Sequence, residues 1–102
     1  MAFVTVAKTE DVPVGEVRVF NVDSRSIALA HVEDGFYAID NVCTHDGGPL
    51  GEGILWDAQV ECPRHGARFD VKTGRVTALP AAVPVKTYPV QVQGDEVKVD
   101  AG

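Results

Sequence analysis

The sequence is short of the residues that would place it in several large classes of protein. Of 102 residues, 2 are cysteine, 1 is tryptophan and 1 is methionine, and lysine and arginine together number 9 against 15 acidic residues. Two cysteines cannot build a disulfide-rich framework, although they could form a single bridge in a secreted chain. The shortage of positive charge leaves a formal net charge of −6. That argues against nucleic acid and against anionic membranes, both of which require basic patches. No apolar stretch approaches the length needed to span a bilayer. Met1 to Lys8 shows no basic segment followed by a long apolar run, so no signal peptide is expected and the cytoplasm is the expected location. Helical periodicity, internal repeats, low-complexity tracts and linkers are absent as well.

What is present suffices for one globular domain over residues 1–102. The chain is 45% hydrophobic, too much for disorder and enough for a modest core. In so small a domain a metal centre that clamps two loops would add useful stability, because its binding free energy becomes folding free energy. Valines alternate with polar residues at a period of two, the pattern of half-buried strands. Strands are expected at residues 3–6, 15–20, 26–32 and 36–40, with Glu33-Asp34-Gly35 as a tight hairpin turn. The pattern breaks over residues 41–53, which contain Gly47, Gly48, Pro49, Gly51 and Gly53. It resumes near Ile54-Leu55, at Gln59-Val60-Glu61 and at residues 67–70, with a turn at Lys72-Thr73-Gly74. Residues 78–84 form a third irregular stretch punctuated by Pro80 and Pro84. A hairpin of residues 85–93 and 96–99 is expected to close the chain. Many short strands at regular spacing indicate an all-β antiparallel sandwich or small barrel, with residues 41–69 as a loop-rich subdomain at one end.

Both cysteines and two of the three histidines fall in two stretches of that subdomain, Cys43-Thr44-His45 and Cys62-Pro63-Arg64-His65, with residues 46–61 between them. Thiolates and imidazoles are ligands for zinc, iron and iron–sulfur centres. Ordinary buried cysteines with surface histidines are one reading of these residues. Structural zinc with two Cys and two His ligands is a second, although C-x-H spacing is tight for two ligands on one zinc and each loop supplies one ligand of each kind. A two-iron cluster of mixed ligation is a third. Each loop would then send its cysteine to one iron and its histidine to the other, so neighbouring ligands need not converge on one atom. Cys43 and Cys62 would hold the buried iron, and His45 and His65 the outer one.

The stretches Cys-Thr-His-Asp-Gly-Gly-Pro-Leu and Cys-Pro-Arg-His-Gly-Ala-Arg-Phe-Asp resemble the two signature loops of Rieske-type [2Fe–2S] proteins, and the resemblance extends over essentially the whole chain. It implies a Rieske-type β-sandwich holding one [2Fe–2S] cluster through Cys43, His45, Cys62 and His65. Respiratory Rieske subunits carry an extra cysteine in each loop, a membrane anchor, and hydroxyl donors near the cluster. Here the matching loop positions are Gly47 and Arg64, and the hydroxyl positions are Ala67 and Phe69. Hydrogen bonds to cluster sulfur favour the reduced state, so their absence implies a midpoint near the low end of the Rieske range, about −150 mV. The mononuclear iron domain of large oxygenase subunits needs two further histidines, and only His31 remains. His31 is expected to be a surface or packing residue.

The resemblance therefore implies a free-standing, monomeric Rieske ferredoxin, not itself a catalyst. It would carry single electrons from an NAD(P)H-dependent flavin reductase to a terminal oxygenase, docking transiently at the His45/His65 edge. A small subunit of assimilatory nitrite reductase, or an orphan ferredoxin of another redox or cluster-assembly system, is the alternative. Pro49, Leu50 and residues 78–80 are expected as an apolar rim around that edge, with Pro80 covering one side of the cluster. Gly47, Gly48 and Gly66 are expected where a Cβ would clash with the cluster. Trp56 is expected to pack beneath the subdomain, and Arg64 and Arg68 to tune docking or to pair with Asp46 or Asp70.

Overall fold

The computed structural model describes residues 3–44, 47–63, 66–79 and 83–101. Its strands are β1 (Val4–Lys8), β2 (Val17–Val22), β3 (Arg25–Val32), β4 (Gly35–Asp40), β5 (Ile54–Trp56), β6 (Gln59–Glu61), β7 (Arg68–Asp70), β8 (Val76–Ala78), β9 (Thr87–Tyr88), β10 (Val90–Gln93) and β11 (Glu96–Val99). All pairings are antiparallel and form three sheets, ordered β1-β11-β10, β2-β3-β4-β9 and β5-β6-β7-β8. Two short 3-10 turns, Thr9–Asp11 and Leu50–Glu52, are the helical elements among the described residues.

The sheet containing β3 is a middle layer. Ile27-Ala28-Leu29-Ala30 is a continuous apolar run, as expected of a strand covered on both faces, and all four residues are buried. Ile27 and Leu29 join Ala38, Tyr88, Val97 and Val99 in a core against β1-β11-β10. Ala28 and Ala30 join Ile39, Leu50, Val60 and Phe69 in a second core against β5-β6-β7-β8. Half-buried alternation therefore describes the outer layers better than the central strand.

Two expectations need correction. The single strand foreseen over residues 85–93 is divided between two sheets. Thr87–Tyr88 pairs with β4, whereas Val90–Gln93 pairs with β11. Pro89 stands at the break, where its missing N–H cannot serve a continuous ladder. β8 was not foreseen; three residues are too few to show a period, and its pairing to β7 supplies the order. His31 behaves as a packing residue. Its ring stacks on Phe36 with centroids 3.9 Å apart, and Nδ1 lies 2.7 Å from the Val12 carbonyl oxygen.

Candidate metal centre

The first loop leaves β4 and is fixed at both ends by Asn41. The Asn41 backbone N–H and side-chain Nδ2 donate to the carbonyl and hydroxyl oxygens of Ser26, each at 3.0 Å. Its Oδ1 accepts the N–H of Gly51 at 2.6 Å. Leu50 anchors the far side of the loop in the core and is fully buried. The second loop is simpler. β6 leads straight into Cys62, and β7 carries the chain away.

The two loops repeat one construction. The Cys43 carbonyl accepts the N–H of Gly47 at 2.7 Å, and the Cys62 carbonyl accepts that of Gly66 at 3.2 Å. Each cysteine N–H donates one residue further on, Cys43 to the Gly48 carbonyl and Cys62 to the Ala67 carbonyl, both at 2.7 Å. The closing glycines share a left-handed backbone, with φ of +77° at Gly47 and +76° at Gly66. In sequence His45 and His65 fall inside these two turns, and both lie outside the described residues, as do Asp46, Arg64 and Pro80.

Both cysteines are buried, reduced and members of the same apolar cluster as Leu50, Val60, Ala67 and Phe69. No polar or charged residue is buried among the described residues. The donor chemistry fits an iron–sulfur group. Two soft ligands from matching turns share one apolar cluster, and their backbone N–H groups are organised by the turns. Among the described residues no set of three His, Cys, Asp or Glu gathers to hold a metal; both histidines of the two loops lie outside those residues.

Gly47 and Gly66 also have a requirement of their own. No described atom lies within 4 Å of a Cβ built on either, and the left-handed backbone of both favours glycine there.

Several flanking residues also stand elsewhere than expected. Leu50 is a core residue and forms no part of the rim. Exposed apolar groups stand instead at Val42, beside Cys43, and in the third irregular stretch at Leu79, 81% exposed, and Val83, 58% exposed. Trp56 is 49% exposed, because its place in the period-two pattern of β5 turns it outward while Leu55 packs inward. Arg68 pairs with Glu61 at 2.9 Å, not with Asp70. Sequence reasoning missed Asn41 and Thr44. The Thr44 hydroxyl donates to the Val83 carbonyl, tying the first loop to the third irregular stretch. A threonine inside a C-x-H stretch is the only trace that tie leaves in the sequence.

Shifts in proton affinity are resolved around the β3–β4 turn. A hydrogen bond from Lys72 Nζ to Asp34, 2.7 Å long, holds the Asp34 carboxyl below its usual range and raises Lys72 above its own. Desolvation, followed by the Asp34 carboxylate, raises Tyr37.

A family model described as a Rieske [2Fe-2S] domain matches residues 2–89. The ferredoxin component of the naphthalene 1,2-dioxygenase system of Pseudomonas aeruginosa is 41% identical over 90 residues, covering 88% of this chain and 86% of the relative. The ferredoxin of carbazole 1,9a-dioxygenase from Nocardioides aromaticivorans superposes with a TM-score of 0.92 at 38% identity, covering 97% of both chains. A complex of oxygenase and ferredoxin in carbazole 1,9a-dioxygenase contains a match at TM-score 0.89 and 37% identity, covering 95% of this chain and 91% of the other.

Proposed function

Because the chain belongs to the Rieske [2Fe–2S] family, we propose that it accepts single electrons from an NAD(P)H-dependent flavin reductase and delivers them to a terminal oxygenase. It is a ferredoxin, an electron carrier and not a catalyst. The observation that carries the reading is the pair of matching turns that buries Cys43 and Cys62 in one apolar cluster. Cys43, His45, Cys62 and His65 would hold the [2Fe–2S] cluster, the cysteines as thiolates on the inner iron and the histidines as neutral imidazoles on the outer. The cluster, when bound, supplies a reversible one-electron couple. The chain's own part is to hold the ligands still, to exclude water from the thiolate side and to present the histidine side to partners.

Residues 1–102 act as a single monomeric domain, with residues 41–69 as its cluster-binding part. The cytoplasm, where thiols stay reduced, suits a chain whose two cysteines serve as thiolate ligands. Leu79 and Val83 give the docking edge an apolar rim, and transient redox contacts are small enough for such a rim to matter. No helix among the described residues is long and apolar enough to cross a membrane.

EPR of the dithionite-reduced protein, with iron and labile sulfide analysis, tests the centre. A rhombic signal with two irons and two sulfides is expected; one zinc without sulfide would overturn the ligand assignment. Addition to a purified reductase–oxygenase pair tests the role, and turnover should depend on the ferredoxin. Stable co-purification with a large sirohaem subunit would place the chain in a nitrite reductase instead.

A further inference from the structure

The outward face of β5–β7 carries an arrangement that ligand binding does not require. Leu55, Val60 and Phe69 point into the core, so the alternate residues face out. The registers align Ile54, Glu61 and Arg68 in one rank and Trp56, Gln59 and Asp70 in the next. Ile54 is 56% exposed beside the half-exposed Trp56.

This tryptophan is held in place. Its Nε1–H donates to Glu61 Oε1 at 3.1 Å, and Arg68 Nε donates to the same oxygen at 3.0 Å. The Arg68 guanidinium carbon stands 5.4 Å from the centre of the indole ring. Cation–π attraction and a shared carboxylate thus fix an exposed aromatic. A side chain already fixed loses little rotamer freedom on binding. Tryptophan and arginine are also the residue types that dominate interface hot spots.

The patch stands at the root of the second loop. Glu61 immediately precedes Cys62, and Arg68 follows Ala67, whose carbonyl receives the Cys62 N–H. Its border is acidic. Glu52 and Asp57, both exposed, flank β5 in sequence, and Asp70 shares the rank of Trp56, while the charge of Glu61 is met by Arg68.

We propose that this face, centred on Trp56 with Ile54 and Arg68, docks the terminal oxygenase through an apolar recess bordered by basic side chains. The inference rests on the carrier reading above. An oxygenase is the chosen occupant because a ferredoxin of this fold forms a complex with one, and because the acidic border calls for a basic complement. The face adjoins the second loop through Glu61 and Arg68, so a single footprint can span both.

The chain has one tryptophan, so 5-fluorotryptophan labelling gives a single ¹⁹F resonance from this face. The probes are oxygenase components of naphthalene, biphenyl and carbazole dioxygenase systems, and the one that the wild-type protein reduces fastest is used. Adding that oxygenase should shift or broaden the resonance. Trp56→Ala should raise the KM of oxygenase turnover for the ferredoxin about thirtyfold, a hot-spot-sized loss. kcat at saturation, the EPR spectrum and the midpoint potential should stay unchanged, and Trp56→Phe should recover most of the loss. An unmoved resonance with an unchanged KM overturns the proposal. So does a KM change confined to the reductase assay, which would seat the flavoprotein there. A shift that depends on ferredoxin concentration alone would make the face a self-association surface and overturn it likewise. If the wild-type protein reduces none of the oxygenases, the carrier reading itself falls, and this inference with it.

Discussion

The hydroxyl of Thr44 donates to the carbonyl of Val83, joining two segments that are 39 positions apart in sequence. One end of that bond follows Cys43 directly, and the other lies in the irregular stretch that supplies the exposed Leu79 and Val83. Thr44→Val should cost about 1 kcal/mol of folding stability, the net worth of one such bond. It should also speed loss of the cluster's visible absorbance in the presence of a chelator. Thr44→Ser keeps the hydroxyl and should behave as wild type in both assays. Equal bleaching rates in all three proteins would remove the tie from any role at the site.

The equivalence of the two turns can be measured. A Cβ at Gly47 or Gly66 meets no described atom, so the left-handed backbone sets the least that alanine should cost there. That cost is roughly 1–2 kcal/mol. Gly47→Ala and Gly66→Ala should each lower stability by about that amount in guanidinium unfolding, and by similar amounts. The corresponding asparagine variants should lose less, since asparagine tolerates this region. A much larger loss at one position would show that its neighbours crowd it.

The redox potential should respond to hydroxyls introduced beside the second loop. Ala67 and Phe69 are fully buried and apolar. The wild-type midpoint is expected near −150 mV, the low end for Rieske centres. Ala67→Ser and Phe69→Tyr should each raise it by tens of millivolts, because about 59 mV corresponds to a factor of ten for one electron. Protein-film voltammetry reads this directly. A wild-type midpoint well above 0 mV would contradict the assignment.

The Asp34–Lys72 pair gives a pH signature remote from the loops. The Asp34 pKa is lowered by the hydrogen bond from Lys72, so its contribution is present above the ordinary carboxylate value of 3.8 and is lost as pH falls through the lowered one. The Lys72 pKa is raised by the same bond, so its contribution is present below 10.5 and is lost as pH rises through the raised value. Between these limits the pair should contribute a small, constant amount, reduced by salt because both groups are exposed. Asp34→Asn should flatten the acid limb of stability against pH. An unchanged acid limb would assign it to other carboxylates.

Much of the site was legible in the sequence because its ligands are rare residue types. Two cysteines in a chain of this size have few places to be, and the Gly/Pro interruption marked the loops around them. β2, β3 and β4 were legible from a clear period or a clear apolar run, and β5, β6 and β7 from strand-forming residues bounded by turn signals. Less visible was whatever depends on a neighbour from another part of the chain. Leu50 reads like a rim residue until its 3-10 turn folds it under β3. Trp56 reads like a core residue until the register of three-residue strands sets it on the outer face, and strands that short carry too few side chains to establish a face by period. Arg68 chose Glu61 because the two are directly opposite across β6 and β7, a pairing that only the register reveals.

The middle sheet has a practical consequence. One core, with both cysteines, lies between it and β5-β6-β7-β8, and the other lies between it and β1-β11-β10. β1 and β11 are paired along their length, with Val4 opposite Val99. A tether, label or fusion partner attached at either end of the described chain, or at the exposed Val92 on β10, would sit behind the sheet that backs the cysteine core. Immobilised that way, the protein would present its loops to solution in one orientation, which makes the β1-β11-β10 side the place to hold it.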